Sequence, residues 1–266
     1  LSNSNADPKA NTAPKASPEK KGNSLQTLDR ALELLQVFAK AQTPLTVIEL
    51  SRLLKTNRTT IYAMINSLLD GEFIERDTFP GRYVLGYKMY ELGSMYRKRH
   101  SFLRNVRYHA LPLVKKWDVS IRISVYIRGG FALLLAEEYD SIIPALNEGT
   151  LMPAHATASG KVLLSGLSPE ELDRELNEAD LEAYTPTTIV NRNDLRAHIE
   201  QVRQDGYSLD HEEYLLGYSC IGVPIKDSAG RVIASVTVSG APEAMEKNRE
   251  GILKDALILA RAIARN

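Results

Sequence analysis

The sequence predicts an α+β chain in two folded parts, an N-terminal winged helix-turn-helix and a C-terminal mixed α/β domain, joined by a linker helix. Three observations predict it. Three short runs of apolar residues at helical spacing precede two β-rich runs that flank a Phe-Pro-Gly turn. A basic helical stretch follows, and strictly alternating strands begin only after it. Charge divides along the same line: residues 1–107 hold 17 Lys/Arg against 10 Asp/Glu, a balance of +7, and the remaining 16 against 23 give −7.

The elements follow in order. Residues 1–22 are Pro, Ser, Asn, Ala and Lys with almost no large apolar side chain, and a disordered tail is expected there, because too little surface is buried to offset ordering entropy. Leu28, Ala31, Leu32, Leu35 and Phe38 share helical spacing, with Ser24 as the expected cap. After Pro44, Thr46 and Glu49 form a capping box that opens a second short helix. Thr56-Asn57 then makes a tight turn, and Asn57 caps a third helix whose inner face carries Ile61, Met64, Ile65 and Leu68. Residues 73–77 and 82–85 read as a hairpin around Phe79-Pro80-Gly81, which completes a winged-helix domain over 23–86. A linker helix is expected over 87–107 and a second domain over 108–266. In that domain, residues 121–128 and 131–137 form a hairpin, helices fall at 158–166, 169–178 and 193–205, strands at 219–226 and 231–239, and one amphipathic helix at about 243–264.

Composition bounds what the chain does. With 44% hydrophobic and 25% charged residues over 266 positions it is ordinary globular protein. No apolar run reaches the roughly 18 to 20 residues of a membrane span, and no leader-like stretch opens the chain. A single cysteine, Cys220, leaves no internal disulfide and suits a reducing compartment. A soluble cytoplasmic protein without membrane contact is expected.

The third helix carries the first functional signal. Opposite its apolar face lie Thr59, Ala63 and Asn66, flanked by Thr60 and Tyr62. In a helix-turn-helix the second helix enters the major groove, where Thr hydroxyls and methyls meet base edges and Asn pairs with adenine. Arg58, at the positive helix end, suits a phosphate. These residues are also plain helix-starting chemistry. A wing at the right distance, Arg82 just beyond its turn and the basic half together favour double-stranded DNA as partner.

Two further segments, MPAHATASGKVLLS at 152–165 and GYSLDHEEYLLGYSCIGVP at 206–224, close with GRVIASVTVSG at 230–240. With the winged-helix segment 24–93, this ordered set resembles the IclR (isocitrate lyase regulator) family of bacterial transcription factors. The resemblance implies a GAF/profilin-like effector domain and dimers or dimers of dimers on operator DNA. It also implies control by small metabolites, often organic or aromatic acids. By motif position, Ala158, Ser159 and Gly160 match the loop and helix start that bound the ligand. Asp210 and Cys220 match pocket residues, Met152 an apolar wall, and Ser219 adjoins them. One departure stands in the reading helix. Where the family often has an arginine after the position of Tyr62, this chain has Ala63.

To these the residues themselves add Arg122, Ser124 and Tyr126, on one side of an alternating strand. Arg122 offers a bidentate partner for a carboxylate and Tyr126 a ring to stack on. The same three side chains are equally the solvent face of a sheet. The expected effector is a small, aromatic carboxylic acid, with no cofactor. Rival chemistry is weaker. Cys220 with His211 has the residue types of a thiol dyad, but Gly217-Tyr218-Ser219-Cys220-Ile221-Gly222 misses the G-x-S-x-G spacing by one residue. His155, Asp210, His211 and Cys220 are metal-ligand types without the spacing of a closed site. Ser159-Gly160-Lys161 lacks the phosphate-loop spacing.

Overall fold

Residues 25–103, 106–137 and 148–265 are described by the computed structural model, and they form two units that divide between Ser101 and Phe102. The tail expected over 1–22 and the Ser24 cap lie outside the described residues.

In the first unit, helix α1 (Gln26–Lys40) is followed by strand β1 (Leu45–Thr46) and helix α2 (Val47–Leu53). The capping box that opens α2 is complete: Glu49 N–H donates to Thr46 Oγ1, and Thr46 N–H donates to Glu49 Oε2 at 2.7 Å. Helix α3 (Arg58–Asp70) starts at Asn57, whose Oδ1 accepts Thr60 N–H at 2.8 Å. Strands β2 (Ile74–Arg76) and β3 (Arg82–Leu85) make the wing, and β1 pairs with β3 to complete a three-stranded antiparallel sheet in the order β1-β3-β2. Leu34, Phe38, Leu50, Ile61, Ile65, Ile74 and Tyr83 fill the core.

Helix α1 departs from the expected phase. It buries Leu34 and Phe38 and leaves Leu28 and Leu32 about half exposed. Both stripes have helical spacing, and only contact with β3 and α2 selects between them. The expected linker helix also differs. Helix α4 (Tyr87–Arg99) ends at His100, a short 3-10 turn covers Ser101–Leu103, and helix α5 (Val106–Trp117) begins anew. No side chain of α4 is buried within its unit, whereas Val106, Ala110 and Val114 of α5 join the core of the second unit.

The second unit is built on a six-stranded antiparallel sheet. Strands β4 (Ser120–Ile127) and β5 (Gly130–Glu137) form the first hairpin, and β6 (Leu151–Met152) adds two residues beside β5. Helices α6 (Ala158–Ser165), α7 (Pro169–Glu178) and α8 (Arg192–Asp205) follow, then strands β7 (Ser208–His211), β8 (Ser219–Lys226) and β9 (Val232–Gly240). The chain ends in α9 (Pro242–Lys247) and α10 (Arg249–Ala264). A single final helix was the expectation; it is broken at Asn248, whose Nδ2 donates to Ala244 O at 3.0 Å. The strand order is β6-β5-β4-β9-β8-β7.

The two faces of this sheet differ in chemistry. Ile121, Ile123, Ile221, Val223, Val236 and Val238 form one face, which packs with α5 and α10 into the largest core. The opposite face lies under α6. Among the described residues no helix is long and apolar enough to cross a membrane.

Candidate DNA-reading helix and ligand-facing sheet

Helix α3 presents its polar side outward. Arg58, Thr59, Tyr62, Ala63 and Asn66 are exposed while Ile61, Met64 and Ile65 are buried, so the predicted strip is a continuous surface. Thr60 is half-buried, with its N–H spent on the Asn57 cap. Tyr62 is 51% exposed beside that strip. Arg82 is placed differently from the other six. Its Nη1 donates to Pro44 O at 2.6 Å and sits 3.8 Å from Glu49 Oε2, so its guanidinium ties β3 back to the start of α2.

On the second unit the face under α6 is polar and buried, and it is not a solvent face. Register puts Asp210 opposite Cys220, Cys220 opposite Ser239, and Ser239 opposite Ser120. The next row holds Ser208, Gly222, Thr237 and Arg122, and beyond it lie Ser235 and Ser124. Helix α6 meets this surface closely. A side chain at Gly222 would run into Ala158 O at 2.7 Å, and one at Gly160 into Ala154 O at 2.2 Å. At Gly222 glycine lets the sheet touch the backbone of α6, and at Gly160 it lets α6 touch the segment that leads into it.

Ser159 is the hub of that contact. Its Oγ bonds to Thr237 Oγ1, accepts from Ser235 Oγ at 3.2 Å and donates to Ser124 Oγ at 3.4 Å. Thr157 caps α6 and accepts Gly160 N–H at 3.1 Å, so one of the N–H groups at the helix start is already occupied by the cap. Arg122, only 8% exposed, faces the same surface, and its positive charge acts on the Cys220 thiol. Tyr126 shares the side but lies farther along, among Leu164, Leu172 and Met152. Burial, reinforced by a hydrogen bond to Glu175, keeps its hydroxyl protonated.

Electrostatics distinguish the β7 end. Burial pushes the Asp210 carboxyl up to about 6, although it accepts Glu213 N–H at 2.7 Å. Burial also raises the Cys220 thiol far above its ordinary range, and the neighbouring Asp210 carboxylate adds to the shift. Cys220 pairs with Asp210 and His211 with Ser219, so the thiol and the imidazole lie on opposite faces of the sheet. A thiol held protonated is also the opposite of an activated nucleophile; the Cys220/His211 dyad does not form. Asp210, Ser219 and Cys220 also line a cleft of about 180 Å³ together with His211, Met245 and Arg249. Among the described residues no three His, Cys, Asp or Glu side chains are grouped to hold a metal ion.

Sequence reasoning missed five participants. Ser235, Thr237 and Ser239 recur at every second position opposite Val236 and Val238, a signal legible in the β9 sequence. Lys161 and Glu213 gave no such signal. Lys161 is fully buried, and its Nζ donates to Leu209 O at 2.8 Å and to Glu213 Oε1 at 2.5 Å.

Comparison with known proteins follows this division of the chain. The family model described as "Bacterial transcriptional regulator IclR C-terminal" matches residues 133–265, and "IclR helix-turn-helix domain" matches 27–78. The HTH-type transcriptional regulator XynR of Escherichia coli K12 is 29% identical over 251 residues, covering 90% of this chain and 97% of its own. The crystal structure of Thermotoga maritima IclR superimposes with a TM-score of 0.69 at 27% identity, covering 91% of this chain and all of that one. An IclR homologue from Microbacterium hydrocarbonoxydans, crystallised with 4-hydroxybenzoate, shares the fold with a TM-score of 0.76 at 23% identity, covering 90% and 98%.

Proposed function

This chain belongs to the IclR family of bacterial transcriptional regulators, and we propose on that premise how its own residues divide the work. It is a DNA-binding regulator with a C-terminal effector domain. Thr59, Thr60, Ala63 and Asn66 meet base edges in the major groove, Arg58 a phosphate, and Tyr62 the flank of the groove. The effector is a small carboxylic acid held on the polar sheet face by Arg122, Asp210 and Cys220, with Ser124 and the start of α6 around it; Ser219, on the same side of β8 as Ile221 and Val223, faces away from it. Met152 and Tyr126 supply apolar wall at the far end. The protein acts in the cytoplasm as a dimer or dimer of dimers, a reading supported by the exposed Tyr87, Tyr90, Leu92, Met95 and Tyr96 of α4.

One observation carries the effector assignment. A buried surface of hydroxyls, a carboxyl and a guanidinium lies back to back with an apolar face on the same strands. Ser159 pairs the central hydroxyls of this face, and because polar groups are costly to bury without partners, a guest admitted here must itself offer hydrogen bonds. The 4-hydroxybenzoate bound to the Microbacterium relative is an acid of the expected class. Control then follows from linkage: an acid that prefers one arrangement of the effector domains shifts the population, and operator affinity with it.

Isothermal titration of the full chain with a panel of benzoates and short aliphatic carboxylic acids, 4-hydroxybenzoate included, tests this. Saturable binding of one member is expected, weakened about 10- to 100-fold in Arg122→Ala through loss of a charged hydrogen bond. Unchanged affinity in that variant removes Arg122 from the site, and a panel without any binder overturns the ligand class.

A further inference from the structure

The wing raises a question that the reading helix does not answer. Its two cations are both turned away from the tip. Arg82 is bonded to Pro44 O and neighbours Glu49, and Arg76 lies over the Tyr83 ring at 5.6 Å, its Nη1 donating to Tyr83 Oη at 3.4 Å. The tip between them, Asp77-Thr78-Phe79-Pro80-Gly81, carries no positive charge at all. What it projects is Phe79, 68% exposed.

The turn fixes the backbone that carries that ring. Asp77 Oδ2 accepts Phe79 N–H at 3.2 Å, Arg82 N–H donates back to Phe79 O at 3.3 Å, and Asp77 N–H donates to Arg82 O at 2.9 Å. Pro80 fixes its own φ, and Gly81 takes φ +77°, closing the turn. With the backbone already ordered, contact costs Phe79 only its side-chain freedom, and its apolar area is available to a partner. The wing adjoins α3 through Ile74, on the same small core as Ile61 and Ile65.

We propose that Phe79 is an apolar wedge, contacting the minor groove beside the base pairs read by α3 and selecting DNA by deformability instead of by phosphate charge. Apolar side chains entering the minor groove partly unstack a base step and favour flexible pyrimidine–purine steps. The wing thus adds specificity beside a reading helix whose exposed side carries the short Ala63 between Thr59 and Asn66. The inference rests on α3 being the reading helix, and the controls separate the two claims.

The test uses the full chain and a DNA duplex it selects in vitro from a random-sequence pool, with affinity read by fluorescence anisotropy across a salt series. Phe79→Ala is expected to weaken binding about tenfold, the loss of one buried aromatic contact, with the slope of log K against log salt unchanged. Phe79→Leu recovers most of that loss, and the Ala variant loses sequence preference only at positions flanking the core site. Thr59→Ala, assayed in parallel, loses preference inside the core site and reports on α3 independently. Native affinity in Phe79→Ala, a salt slope lowered by about one phosphate contact, or equal losses in Ala and Leu each overturn the wedge.

Discussion

Burial holds a proton on Asp210 over a pH range where a solvated aspartate has lost it. A folded-state value near 6 against an unfolded 3.8 means the folded chain binds more protons between those limits. Its stabilising contribution is therefore complete below about pH 4 and is lost as pH rises through about 6. Urea titrations of the native chain and Asp210→Asn, compared across that window, are expected to show the native chain losing stability relative to the variant as pH rises. Parallel curves would return Asp210 to an ordinary carboxylate. Below about pH 6 a protonated Asp210 does not repel a carboxylate; above it the ionised group does.

Single residues also mark where reading from sequence reaches and where it stops. Asn57 and Thr46 were legible as caps because their chemistry is local: each bonds to a backbone N–H three residues on. Arg82 was legible as a cation but not as an occupied one, since its partner Pro44 lies 38 positions away. The polar face of β4 announced itself through alternation at Arg122, Ser124 and Tyr126, yet alternation does not say whether water or a helix covers it. Ser159 settles that in the structure by bonding to Ser124, Ser235 and Thr237.

Among elements, α6 bears the most unusual tie. Lys161 and Glu213 pair in the interior, linking α6 to the segment after β7, while Thr188 and Thr185 hydroxyls donate to Glu213 O. Glu213 Oε2 is buried with no hydrogen-bond partner among the described residues. Removing one member of a buried pair strands the other, so Lys161→Ala is expected to cost about 3–5 kcal/mol of stability. Lys161→Met with Glu213→Leu should recover most of it; chemical denaturation of all three chains decides, and a near-neutral single variant would contradict the tie. Elements with one apolar stripe and a cap, such as α3, α7 and α8, were placed to within a residue. The two-residue strands β1 and β6 carry too few side chains for any period to appear. The phase of α1 and the breaks at His100 and Asn248 depend on packing and local bonding that spacing alone does not encode.

For the whole molecule, the basic first part and acidic second part have separate tasks. Positive charge flanks the winged helix, in residues 1–22 and 87–107, and draws this part of the chain to DNA in a salt-dependent way, while the effector domain backs its polar sheet face with an apolar core. Coupling between them is a free energy, and it is reciprocal: an acid that changes operator affinity by some factor has its own affinity changed by the same factor when operator is bound. The direct measurement is a pair of titrations on the full chain. One reads binding of the selected duplex with and without a saturating carboxylic acid identified by calorimetry; the other reads binding of that acid with and without the duplex. The account predicts equal shifts, about 5- to 150-fold, in both. Operator affinity unmoved by a saturating effector would contradict it.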